Sequence, residues 1–404
     1  MLIDREKSLV VVVVCDTYDE EKVYEAVRTG VAAAGGLASV LSPDEKVLVK
    51  PNFLKSADPD SAVATHPAVL KAVLRLLWEY GCTDTLYGDS PGNDTGARVA
   101  DRLGLETQKP LFGARFTPMT HEVKVRFPEG MTEKEFYFAE EVTEADAVIN
   151  VCKMKTHALM RITGAVKNPF GLVCGYRKAM AHVKYPNASL FARMLADIHR
   201  CVKPRLHIMD GIVAMEGNGP GAGTPTPMNL LLFSTDPVAI DTVFCHLIGI
   251  DPQSVPTNVQ GAAMGIGTCD SQKIELILAD ASGTHSVGFA QFCEQYGRPD
   301  FAVERTKLPP QFRGLKILEQ FTRRPVIHKE RCVSCGICVQ HCPVPGKALS
   351  FAKGKNHPPV YDYKKCIRCY CCQELCPKKA ITVGRKSSSV KSGLQDRTQP
   401  KHGK

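Results

Sequence analysis

Apolar residues in this chain fall in blocks of four to seven, separated by longer stretches with helical period. Such blocks predict short buried strands alternating with amphipathic helices. Residues 10–15 (VVVVVC) predict the first strand, followed by a helix over 20–34 and a strand over 46–49. Residues 67–80 (PAVLKAVLRLLWEY) predict an amphipathic helix with proline at its first position. A strand follows over 85–88, then a hairpin over 122–138 and a strand over 147–151. A helix is predicted over 190–202, strands over 206–209 and 230–233, and a helix over 237–248 capped by Asp236. Strand and helix in alternation predict an α/β domain with a largely parallel sheet flanked by helices.

The residues that follow the strands are polar. VLV runs into Lys50, Pro51 and Asn52, and TLYG into Asp89 and Ser90. AVINV runs into Lys153, Lys155 and His157, LHIM into Asp210, and LLLFS into Thr235 and Asp236. Ligands of open α/β sheets bind at the carboxyl ends of strands. Lys50, Lys153, Lys155 and Lys167, with His66 and His157, are therefore candidates for a cationic pocket that holds a carboxylate or phosphate. Asn52, Asp89, Asn168 and Asp210 complete the candidate substrate site. The plainer expectation is that each lysine is a separate surface charge of small consequence. Asp89, Asp210, Glu216 and Asp241 offer oxygen ligands for a hard cation, although no spacing enforces it. Two connections stand out for length, 154–176 and the glycine-rich 216–225. The second places Gly217, Gly219 and Ala222 like a dinucleotide fingerprint, but it opens into prolines and a strand rather than a helix. Neither flavin nor nicotinamide is indicated, and no Walker A sequence occurs.

The cysteines carry the sharpest signal. Cys332, Cys335, Cys338 and Cys342-Pro343 are repeated, 34 residues on, as Cys366, Cys369, Cys372 and Cys376-Pro377. Spacings of two let one loop wrap thiolates around a cubic cluster, while the cysteine before proline ligates the other cluster. The expected sets are Cys332, Cys335, Cys338 and Cys376 for one [4Fe-4S] cluster, and Cys366, Cys369, Cys372 and Cys342 for a second. Zinc sites use two separated cysteine pairs instead. Cys371 is an extra thiol, expected to pack rather than ligate. The segment resembles bacterial-type ferredoxins carrying two four-iron clusters.

Charge follows the same division. Of the net +9, residues 326–383 hold ten Lys/Arg against three acids, and residues 384–404 hold six against one. The rest of the chain is slightly acidic. The basic tail lacks the aromatics of a nucleic-acid surface and is expected to be disordered, so nucleic acid is not an expected partner. The other eight cysteines are scattered singly, unlike a secreted disulfide framework, and no apolar run is long enough to span a bilayer. A cytoplasmic protein is expected.

Several motifs match a known family. KPNF at 50–53, GDSPG at 88–92, ADAVINVCKMKTHALMRITGAVKNPFG at 145–171, DGIVAMEGNGPGAGTP at 210–225 and STDPVAIDTV at 234–243 resemble the family called domain of unknown function 362. The resemblance covers about residues 8–290 and implies the α/β architecture and a C-terminal ferredoxin-type module. The expected organisation is an α/β domain over 1–306, a linker helix over 307–325, a ferredoxin-like module over 326–383 and the tail over 384–404. The expected activity is a redox enzyme that relays electrons between an external partner and an anionic substrate or cofactor. The alternative is a non-catalytic electron carrier or iron–sulfur accessory protein.

Overall fold

The computed structural model describes residues 7–175, 177–305 and 323–384. Nearly all of the expected linker helix, and the tail beyond Gly384, lie outside the described residues.

The strands are β1 Ser8–Val14, β2 Val47–Lys50, β3 Thr85–Tyr87, β4 Arg115–Phe116, β5 Glu122–Arg126, β6 Glu135–Ala139, β7 Ala147–His157, β8 Arg161–Thr163, β9 Leu206–Glu216, β10 Thr224–Ser234, β11 Ile274–Asp280 and β12 Gly283–Ser286. The helices are α1 Glu20–Ala33, α2 Pro67–Tyr80, α3 Gly96–Arg102, α4 Glu140–Glu144, α5 Arg177–Lys184, α6 Ala188–Val202, α7 Pro237–Leu247, α8 Pro256–Ala263 and α9 Phe289–Tyr296. The main sheet runs β12-β11-β1-β10-β9-β7-β2-β3-β4, with β8 paired to β7. Pairs β1–β11, β2–β3, β2–β7, β3–β4 and β7–β9 are parallel. Strand β10 runs antiparallel to both its neighbours.

Alternation along the strands explains why both faces are covered. Val11, Val13, Val47, Val49, Ile149, Val151 and Phe233 join α1 and α2 in one core. Val10, Val12, Cys152, Leu230 and Leu232 point the other way and meet α7. Leu48, Leu86 and Val148 meet α6 and the β5–β6 hairpin on that second face. The caps follow the chemistry of the chain: Asp236 accepts from Val238 N and Ala239 N at 2.8 Å.

Three strands run further than their apolar blocks predict. Strand β7 continues through Lys153, Lys155 and His157, and β9 through Asp210 to Glu216. These residues therefore lie within strands rather than in the loops after them. The extension is held by ladder pairing, Lys153 with Asp210 and Lys155 with Met215 across a bulge. Strand β10 includes Pro225 and Pro227, which pair only with β9, because β1 joins β10 from Leu230 onward. A proline without an amide proton is tolerated where no second strand asks for one. The result is a ribbon extending past the sheet, with the glycine-rich turn after Glu216 at its tip.

The C-terminal module begins earlier than the expected boundary at 326. Its β13 Arg324–Ile327 pairs antiparallel with β16 Ile381–Gly384, and β14 Leu349–Ser350 with β15 Val360–Tyr361. Two short helices, α10 Ile337–Gln340 and α11 Cys371–Glu374, stand at equivalent places in the two cysteine repeats.

Candidate functional site

The duplication in sequence is a duplication in backbone. Ser334 and Arg368 share left-handed torsions (φ 53° and 57°), as do Gly336 and Tyr370 (φ 80° and 65°). Each pair is separated by the repeat length, so both cysteine loops turn alike. A small cavity is lined by Cys332, Cys335, Cys338 and Cys376, three thiols of one run and the last thiol of the other. Ala348 N donates to Cys342 Sγ and Ala380 N to Cys376 Sγ, each at 3.3 Å. Amide donors aimed at sulfur suit thiolates that carry cluster charge. This donor set fits iron–sulfur clusters.

The module docks on the ribbon tip. Gln373 Nε2 donates to Asn218 O at 2.9 Å and to Gly219 O at 3.2 Å, and Asn218 Nδ2 donates to Ile381 O at 3.0 Å. His157, at the end of β7, accepts at Nδ1 from Leu159 N and Met160 N. Its Nε2 therefore carries the proton and faces Glu374 Oε1 at 3.0 Å. Burial opposes charge on Glu374, but His157, Lys167 and His182 outweigh it and hold the carboxyl well below its usual range.

Between the strand ends and the module lies a cleft of about 170 Å³, partly open to solvent. Asn52, Asp89, Lys167 and Asn168 line it from the α/β domain, and Cys342, Cys371 and Glu374 from the module. Lys50 sits immediately behind, 3.0 Å from Asp89 Oδ2, with both side chains buried. Phe53 N also donates to Asp89 Oδ2, at 2.7 Å. Lys155 Nζ donates to Asn52 Oδ1 at 2.6 Å and to Val63 O at 2.7 Å. Asn52 Nδ2 donates to Asn168 Oδ1, and Asn168 Nδ2 to Asn150 Oδ1. Burial lowers the Lys50, Lys155 and Lys167 ammonium groups below their ordinary value, and Lys155 is pushed further by Lys167 and Lys153.

The remaining candidates face elsewhere. Lys153 Nζ donates to Asp210 Oδ2 at 2.7 Å and to the Tyr18 hydroxyl at 2.8 Å. His66, stacked on Tyr18, donates its backbone N–H to the same carboxylate. Neither Lys153 nor Asp210 lines the cleft. The four acids weighed as a cation site are also apart in their bonding: Asp89 faces Lys50, Asp210 faces Lys153, Glu216 accepts from Ala302 N, and Asp241 accepts from Ala165 N and Val166 N. Two lining residues absent from the sequence-based candidates come from α5, Lys178 and His182, one helical turn apart. The Lys-x3-His spacing was the available signal.

Fold and cysteine loops together define an iron–sulfur protein with an α/β domain, and residues 324–383 match a 4Fe-4S dicluster domain. Residues 47–246 match the domain of unknown function DUF362, and the chain belongs to that family. A thylakoid-associated protein of Synechocystis sp. is 34% identical over 255 residues, spanning 62% of this chain and 77% of that protein. A structural-genomics crystal structure of a Thermotoga maritima protein matches 55% of this chain and 57% of its own, at 15% identity and TM-score 0.33. The structure of the lactate racemase apoprotein from Thermoanaerobacterium thermosaccharolyticum matches 61% and 59%, at 9% identity and TM-score 0.38. This chain thus spans less than two thirds of each of those solved proteins. Among the described residues, no helix is long and apolar enough to cross a membrane.

Proposed function

We propose that the protein is a redox enzyme whose C-terminal module holds two [4Fe-4S] clusters and passes electrons singly to an anionic small molecule in the interdomain cleft. Cys332, Cys335, Cys338 and Cys376 would hold one cluster, and Cys366, Cys369, Cys372 and Cys342 the other. The observation that supports this is the cleft itself: one wall is strand-end polar groups, and the other contains Cys342, which this reading assigns to the second cluster. A bare carrier has no use for a cleft reaching a cluster ligand. An external single-electron partner would supply the module. The scattered single thiols support a reducing compartment such as the cytoplasm.

Holoprotein purified without oxygen should contain about eight irons and eight sulfides. Cys342→Ser should alter the paramagnetic signal of the cluster held by Cys366, Cys369 and Cys372. Damage confined to the Cys332 cluster would refute the crossed scheme. For the activity, dithionite-reduced holoprotein is mixed anaerobically with host extract divided by size. Reoxidation by the small-molecule fraction is expected; reoxidation by the protein fraction alone would make the chain a carrier.

A further inference from the structure

Lys178 is a buried lysine facing the cleft, and its Nζ has no hydrogen-bond partner among the described residues. His182, on the same face of α5, is buried against the Phe191 ring at 4.3 Å between centroids, and its Nδ1 is likewise unpartnered among the described residues. Lys55 and Lys167 line the same cleft. Lys50 neutralises Asp89, and Glu374 offsets one of the three lining lysines, so the walls keep an excess of two positive charges. A desolvated, uncompensated cation is costly to hold unless something of opposite charge meets it.

The cations also have a chemical type. All are lysines, and among the described residues no arginine lines the cleft. Lysine meets a phosphoryl group as a point charge, and an excess of two positive charges matches the charge of about −1.5 to −2 on a phosphoryl group at neutral pH better than the single charge of a carboxylate. Ser90 and Thr163 also line the cleft.

We propose that Lys178 and Lys167, with His182 beside them, bind the phosphoryl group of a small molecule in this cleft. The proposal builds on the redox reading by giving its substrate a chemical class. The competing explanation is that the lysines merely balance the charge of the neighbouring cluster.

The test is calorimetric titration of anaerobic holoprotein with inorganic phosphate and, separately, with phenyl phosphate. Wild-type protein should bind at least one of them at millimolar concentration or below. Lys178→Gln should weaken that binding about tenfold or more, the loss expected for one charge-assisted hydrogen bond, with iron content unchanged. Lys178→Arg should retain binding within a few-fold, and Lys353→Gln, at an exposed lysine of the module, should change nothing. Tighter binding of the ester assigns the site to a phosphorylated metabolite; equal or weaker binding assigns it to free phosphate. A second measurement needs no variant: phosphate should slow labelling of Lys178 by an amine-reactive reagent, read by peptide mass spectrometry. Absence of binding by wild-type protein, or equal binding by Lys178→Gln, overturns the proposal in favour of charge balance. Lysine-dependent binding without electron transfer to small molecules would remove the redox reading and leave the phosphoryl site standing. Electron transfer without phosphate binding would do the reverse.

Discussion

Gly171 is the tightest constraint on the cleft wall. A β-carbon built there would sit 2.1 Å from Asp89 Oδ1 and 2.7 Å from both Cε and Nζ of Lys50. Its backbone is outside the left-handed region, so alanine meets no torsional strain. Through the unfolded chain alone, Gly171→Ala would stabilise the protein by about 0.4–1 kcal/mol. The collision opposes this. Asp89 cannot swing away without leaving Lys50 Nζ and Phe53 N, its partners at 3.0 and 2.7 Å. Lys50 would keep Pro51 O at 2.6 Å but no anion. Depriving one member of a buried pair of its partner costs about 3–5 kcal/mol. The expected net loss is about 2–4 kcal/mol. Anaerobic urea unfolding of the holoprotein, followed by circular dichroism, should show a lower midpoint at unchanged slope. Gly92→Ala is the matched control, since its β-carbon meets nothing within 4 Å. If the two variants unfold within about 0.5 kcal/mol of each other, the buried pair is not held as described.

Two further outcomes are expected. Asp210→Asn strands Lys153 without a counter-charge and should destabilise by about 3–5 kcal/mol in the same unfolding assay; wild-type stability would show that Lys153 is held neutral at little cost. Burial raises the Asp241 carboxyl to about 7, against the Ala165 and Val166 amides that lower it and with Asp236 adding to the rise. The folded state therefore binds an extra proton between about pH 4 and 7, and this group's contribution to stability falls as pH rises through that window. His66, His182 and His199, each depressed to about 4 by burial, act oppositely, so the measured quantity is the pH dependence of wild type minus Asp241→Asn. A difference flat across that range would refute the linkage.

The blocks of apolar residues located β1, β2, β3, the β5–β6 hairpin, β7, β9, β10 and most long helices, because a sheet covered on both faces needs near-continuous apolar runs; β4, β8, β11 and β12 lie outside those blocks. The blocks misplaced the ends of β7, β9 and β10 for one physical reason. Lys153, Lys155 and Asp210 are buried as hydrogen-bonded polar groups, and a pattern that equates polar with exposed must end the strand at each of them. Pro225 and Pro227 read as breakers because single-neighbour pairing cannot be seen before the sheet order is known. The cysteine loops were readable in detail because ligand spacing is local, whereas the docking of Gln373 on Asn218 depends on residues 155 positions apart.

The same distinction explains the site. Lys50, Asp89, Asn52, Lys155 and Asn168 were visible from the sequence since each follows or extends a strand, and their network now accounts for most of their polar atoms. A group whose hydrogen bonds are all met by its own chain is holding the wall in place. Asp89 Oδ1 is unmet among the described residues, although Asp89 Oδ2 is held by Lys50 and Phe53 N; the Lys178 ammonium has no such partner. Lys178 and His182 come from a helix whose apolar face is too short to announce itself, and each lines the cleft and has a polar atom unmet among the described residues. Since a buried polar atom without a partner is destabilising unless it has another purpose, the unmet atoms identify the contact surface better than charge alone does. The lysines nearest the strand ends build the cleft, and those on the loop after β8 and on α5 are the ones left free to meet what enters it.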